Sequence, residues 1–442
     1  MTSTGPTAAH APSDLSALFR TVPFRQLLSA RVAWTLGIQM VLVAIGWQMY
    51  EITRDPWALA LVGLYQFVPV LILTLPAGHA ADHWSRTRIM VVCLVLQATV
   101  AAILAWDSWH GSVTREHLLI ASVVLGAARA FQMPAVQATT PNTVPPQMLS
   151  RAMAASSTAT QGSVIAGPAA GGMLLVLGND VLYAVATVLL IVAMVLAGRL
   201  RIARHNTTGR GTSAEDVFAG LRYVARRPVI LGAVLLDLFA VLFGGAIALL
   251  PIFASEILTG GPSMLGWLRA APAMGALVMS LYLMRHPPST RVGFKLLLSV
   301  AVFGLATITF GLSTSFWLSM LALFVNGAAD MVSVVIRQTL VQLETPDEMR
   351  GRVSAVNSVF IGASNQLGEF QSGSVASLIG PVAAVVVGGS ATCLIAAVWP
   401  RLFPDLAKRR SLYSDQTSDV TRGHRLGDQP ATLSDSSGPK NS

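Results

Sequence analysis

Several ionisable residues stand inside the long spans of this chain. Arg129 follows the uncharged run "LLIASVVLGAA", Asp237 and Asp330 have similar surroundings, and Glu369 lies in the more polar eleventh span. A guanidinium keeps its proton at any ordinary pH and must find water or a partner. An ionisable group at mid-membrane costs from about 2.5 kcal/mol upward unless it faces a wet cavity or a counter-charge, so such residues mark pathways. The chemistry they suit is proton binding and release. Burial raises a carboxylate's pKa and a nearby guanidinium lowers it. A carboxylate whose partner and hydration change with conformation therefore exchanges one proton per cycle. Asp330 or Asp237 is expected to carry that proton, with Arg129 tuning it; static ion pairing is the competing account. Nucleotide loops, catalytic-triad spacings and Cys/His ligand spacings are absent from the sequence, so neither an enzyme nor a metal or cofactor is expected. The driving force would be the proton gradient.

The elements that must hold these charges are membrane helices. Hydrophobic residues make up 53% and charged residues 12% of 442, with a mean hydropathy of +0.61. A soluble domain has about 25% charged residues. Apolar runs of about twenty residues recur, each long enough to cross a bilayer as a helix, and the alternation of a membrane barrel is missing. Pro, Gly and charge divide the chain into twelve spans near 26–50, 57–77, 89–106, 116–140, 152–177, 180–198, 229–256, 263–284, 293–312, 316–343, 352–378 and 382–402. Basic residues fill alternate connections, around 86–88, 151, 199–227, 285–295, 350–352 and 401–410, and are scarce in the others. That asymmetry puts the basic loops and both termini in the cytoplasm. It also accounts for the net charge of +9 without a nucleic-acid partner. Cys93 and Cys393 read as small apolar packing residues.

Five regions are expected: a polar, disordered tail (1–16), a six-helix bundle (17–198), a cytoplasmic linker with an amphipathic helix (199–228), a second six-helix bundle (229–404) and a disordered tail (405–442). No cleavable leader is read at the start. The two bundles are a repeat. "GAARAFQMPAVQ" (126–137) aligns with "GAADMVSVVIRQ" (327–338) at an offset of 201. The same offset sets "QMLSRAMAASS" on "EMRGRVSAVNS" and "GPAAGG" on "GEFQSG", and an offset of 203 sets "GLYQFVP" on "GWLRAAP". Arg129 and Asp330 thus hold equivalent places. Two parallel-repeat bundles enclosing one site are a transporter plan in which rocking exposes the site to each side in turn.

Over residues 17–404 the chain resembles the major facilitator superfamily, and its motifs sharpen the likeness. In "GHAADHWSRTR", Gly78, Asp82, Arg86 and Arg88 match the family's loop after the second helix, with His83 and Ser85 departing from it. The resemblance implies a breakable latch between the halves, Asp82 facing the start of the eleventh helix. There Thr345, Pro346, Asp347 and Glu348 read as N-cap, N1 and an acidic first turn. "SVIAGPAAGG" carries Gly167, Pro168, Gly171 and Gly172 of the antiporter motif, with Ser163 at its leading glycine. Arg129 and Gln132 resemble the R-x-x-Q of drug/proton antiporters.

In the superfamily helices one, four, seven and ten line the cavity. The resemblance therefore aims Arg129, Asp237 and Asp330 inward, beside Trp34, Gln39, Trp47, Phe131, Met133, Phe239 and Phe243. Arg31 reads as an interface anchor, Arg337 as a partner of Glu344, and Arg269 as a residue shaping the outer cavity. "RGRVSAVNSVFIGASNQLGEFQSG" resembles the branch of the enterobactin exporter and macrolide-efflux proteins. It implies proton-driven export of a small amphiphile, drug-like or siderophore, by a monomer in the inner (plasma) membrane, with lipid, protons and a small molecule as partners. An importer or facilitator, or a receptor or scaffold that keeps the fold, are the alternatives.

Overall fold

The structure is a computed structural model that describes residues 20–145, 148–200, 214–286, 288 and 290–411. Six long helices form the first half: α1 (Val22–Thr53), α2 (Pro56–His83), α3 (Arg86–Trp109), α4 (Arg115–Thr139), α5 (Leu149–Leu175) and α6 (Asn179–Gly198). A linker helix (Ala214–Ala225) leads to the second half: α7 (Pro228–Gly244), α8 (Gly261–Arg285), α9 (Val292–Leu312), α10 (Phe316–Leu343), α11 (Asp347–Ile379) and α12 (Pro381–Leu402).

Prolines at the first turn start α1, α2, α7, α8 and α12, where the missing N–H costs nothing. Asp55 caps α2 by accepting from Trp57 N at 2.9 Å. Gly178 and Gly380, at φ +128 and +87, turn the chain between α5 and α6 and between α11 and α12. Past Gly244, α7 loosens into a 3-10 turn (Ala246–Leu249) and a wide π turn (Phe253–Ile257), so its span reaches Ile257.

Eleven of these helices are long and apolar enough to cross a membrane. The twelfth, α11, has 33 residues but is rich in Asn, Gln, Ser and charge. Such a helix must face protein or water along much of its length.

Each half uses the same neighbours. In the first, α1 packs on α5 and α6, α2 on α4, and α3 on α4 and α6. In the second, α7 packs on α11 and α12, α8 on α10, and α9 on α10 and α12. Between the halves, α5 meets α8 and α2 meets α11. The linker helix rests on α11, where the Tyr223 hydroxyl donates to the Glu344 carbonyl at 3.0 Å.

Candidate functional site

The two seams between the halves tighten at the ends poor in basic residues, the outer ends by loop charge. Small residues let α5 approach its neighbours. A Cβ on Gly167 would lie 2.7 Å from Gln39 Cβ of α1, and Gly171 lies against Met40. Gly172 faces Gly266 of α8 so closely that a Cβ on Gly266 would fall 2.8 Å from the Gly172 Cα. The antiporter-motif glycines thus join α5 both to its own half and to the other. On the opposite seam, a Cβ on Gly373 of α11 would lie 2.7 Å from the Ala60 Cβ of α2. Trp57 and Phe370 meet at a tilt with ring centroids 5.7 Å apart, and the Tyr50 hydroxyl of α1 donates to Glu256 beyond α7 at 2.5 Å. The outer end is closed.

Beneath this closure is a cavity of about 200 Å³ walled by α1, α2, α3, α4, α5 and α11. Trp34, Gln39, Arg129 and Met133 line it. Arg129 sits in mid-helix yet is exposed, because its guanidinium opens on this space. Gln132 lies behind the wall, 1% exposed, and accepts from Gln97 Nε2 at 2.7 Å, while Gln97 accepts from Trp34 Nε1 at 2.9 Å. Three helices are tied by this relay, which fixes the indole at the cavity edge. Arg31 is not an interface anchor: it lines the cavity, and its Nη1 donates to Ser156 of α5 at 2.9 Å. Gln66, Gln97 and Gln366 also line the wall and were missed in the sequence, although an amide in an apolar span is itself a signal.

Glu369 marks the top of the site. It lies where α11 crosses α2, and a Cβ on Gly63 would come 3.1 Å from the Glu369 Cβ. Its carboxylate acts electrostatically on Arg129 of the first half and Arg269 of the second. Neither arginine makes a direct ion pair with it among the described residues. The attraction acts through space, across the seam.

Asp237 and Asp330 lie elsewhere. Both face a separate cavity of about 10 Å³ inside the second half, with Ser299 and Ser333. That is room for one water. Asp237 pairs with Arg337, which is 1% exposed. The expected meeting of either aspartate with Arg129 does not occur in this conformation; Glu369 takes that place. Nor does Arg337 pair with Glu344, which binds Arg409 instead. Glu344 sits at the helix end near the following chain, whereas α7 brings Asp237 to the buried middle.

The aromatic candidates divide as well. Phe131 points away from the cavity, into a groove of about 570 Å³ beside α3. Phe239 packs on Trp399 at 6.1 Å, the Phe243 backbone lies against Gly388 of α12, and Trp47 packs on the first half's core. These three are packing residues.

Of the latch loop, Gly78 is partly buried in α2, Arg86 begins α3 and Arg88 is exposed beside the same groove. The side chains of Asp82, Asp347 and Glu348 lie outside the described residues. Thr345 is not the N-cap of α11; Pro346 is. The Thr345 hydroxyl turns back to the Val341 carbonyl, satisfying the end of α10 rather than the start of α11.

Comparison with known proteins agrees with this architecture. The enterobactin exporter EntS of Escherichia coli O1:K1 is 25% identical over 404 residues, covering 89% of this chain and 95% of the exporter. A mutant of the nucleoside transporter NupG superposes with a TM-score of 0.70 at 14% identity, covering 86% of this chain and all of that one. A bacterial homologue of the human lysosomal transporter Spinster, inward-facing and unoccupied, gives 0.67 at 15% identity, covering 87% and 98%. The family described as transmembrane secretion effector matches residues 13–420. With twelve helices in two repeated bundles closed over a charged cavity, the chain belongs to that family of the major facilitator superfamily and is a multi-pass membrane transporter.

Proposed function

We propose that this transporter exports a small amphiphilic molecule, in exchange for protons, from the inner side of the plasma membrane. The observation that carries the reading is the position of Glu369: a carboxylate where α11 crosses α2, within electrostatic reach of an arginine of each half. To open outward, α2 must part from α11. That motion would take Glu369 away from Arg129 and leave it with Arg269 of its own half, exposed to outside water. Parting from Arg129 raises the carboxylate's affinity for a proton while hydration lowers it, so exchange by this route requires the lost counter-charge to outweigh the gained water. On return, Arg129 approaches again and the proton leaves on the inner side. The proton and the seam are thus linked through one group, which is what exchange requires.

Resemblance to exporters supports the direction, and the glycine-rich contact of α5 supports exchange. The similarity to the enterobactin exporter makes a siderophore the first substrate to try, with a macrolide second. The test uses full-length protein in inside-out liposomes with an acidic lumen. Either compound should accumulate in the lumen. Glu369→Gln should lose acid-driven accumulation while retaining downhill exchange. Undiminished acid-driven accumulation in that variant removes Glu369 from coupling. Asp330→Asn, in the second-half cavity, is the comparison: loss there with retention in Glu369→Gln would move the proton to Asp330. Accumulation of neither compound, with or without a gradient, overturns the export reading.

A further inference from the structure

The cavity has a charge that proton exchange does not require. Arg31 and Arg129 both line it, and among its described lining residues there is no carboxylate. Arg31 spends one Nη1 hydrogen on Ser156, while its Nε is buried and meets no acceptor. Arg129 opens on the space and makes no hydrogen bond among the described residues. Glu369 of α11 acts electrostatically on Arg129 and on Arg269 alike. Among the described residues, Arg31 and Arg129 on the cavity wall and Arg269 nearby outnumber Glu369 and leave the region positive. The Arg31 Nε is buried without an acceptor and Arg129 turns its guanidinium to the same space, so the cavity suits a ligand that supplies acceptors.

We infer that the transported molecule is an anionic amphiphile, its acidic end seated between Arg31 and Arg129 and its apolar body along Trp34, Ile38 and Leu42. The inference rests on the transport reading above and names its substrate class. Guanidiniums bind carboxylate, sulfonate or ionised phenol through charge-assisted hydrogen bonds that neutral groups cannot match. The cavity amides Gln39, Gln66 and Gln366 offer further donors to oxygen-rich ligands. A cation would meet like charge on entry.

The charge of the ligand also couples to the seam. An anion beside Arg129 competes with Glu369 for the same guanidinium. Loading would weaken the attraction across α2 and α11 that holds the outer end shut, so the occupied transporter opens outward more readily than the empty one. The inside-negative membrane potential then favours release of the anion outside.

The test is equilibrium dialysis of the full chain in nanodiscs at neutral pH, without any gradient. The probes are naphthalene-2-sulfonate, the cationic trimethyl-2-naphthylammonium and neutral 2-naphthylmethanol. The sulfonate should bind saturably and at least roughly tenfold more tightly than the cation. Arg129→Gln and Arg31→Gln should each weaken the sulfonate by roughly tenfold while leaving the neutral alcohol within about twofold. Arg129→Lys should restore part of the loss. Thermal melts of the variants separate lost binding from lost folding, and the alcohol reports an intact cavity. Equal or tighter binding of the cation, no saturable binding of the sulfonate, or sulfonate binding unchanged in both Gln variants overturns the inference. Because no proton gradient is present, anion selectivity can hold while proton exchange fails, and the reverse.

Discussion

Gly172 of α5 and Gly266 of α8 meet backbone to backbone across the two halves, with no room for a side chain on either. The closed outer end depends on that contact, and a substitution there acts on conformation before it acts on chemistry. In a background with Cys93 and Cys393 replaced, Gly172→Leu should hold the seam apart. A cysteine placed at Ala60, now packed against Gly373, should then react several-fold faster with a membrane-impermeant maleimide. Unchanged labelling would mean that the seam opens by another route.

The Tyr50–Glu256 hydrogen bond ties α1 to the segment after α7 at the same end. A bond to a charged group contributes about 1.5–3 kcal/mol. Tyr50→Phe should raise outer-end labelling by roughly tenfold, and Glu256→Gln should add little once Tyr50 is gone. Additive effects of the two changes in a double-mutant cycle would show that the pair is not a closing contact.

Inside the second half, Asp237 and Arg337 are a buried pair, and removing one partner leaves an uncompensated charge. Asp237→Asn should destabilise the folded protein by about 3–5 kcal/mol, and Arg337→Met should recover much of that loss in the double variant. Denaturant unfolding in detergent reads both. A cost below about 1 kcal/mol for Asp237→Asn, within the range of an exposed pair, would contradict the pairing.

Gln132→Leu removes the acceptor that orients Gln97, and through it Trp34. The buried Gln97 amide would lose a partner at a cost of about 1–3 kcal/mol. Ligand binding should weaken although Gln132 does not line the cavity, and Trp34→Phe should remove most of that dependence. Normal affinity in Gln132→Leu would reduce the relay to packing.

Much of this architecture was legible in the chain. Apolar runs placed the helices, and the offset repeat aligned Gly167–Gly172 with Gly368–Gly373, the stretches that meet α1, α8 and α2. Gly63 and Gly266 are repeat partners too, and both lie at inter-half seams. Pairing of charges was less legible, for a geometric reason. On α10, Arg337 has Glu344 seven residues ahead and Asp330 seven behind, all on one helical face. Spacing cannot say which neighbouring helix supplies a partner, and Asp237, a hundred residues earlier, is brought in by α7. Repeat equivalence of Arg129 and Asp330 suggested that they face each other. Equivalent places in two bundles need not share a cavity, and the charge that crosses the seam is Glu369, whose repeat position holds Pro168.

That exchange of Pro168 for Glu369 gives the duplicated design two unlike closures. At α5 and α8 the seam is glycine on glycine, a contact of backbone shape. At α2 and α11 the same fold position carries a carboxylate under the pull of two arginines. One copy of the repeated contact is held by backbone shape alone, and the other carries an ionisable side chain.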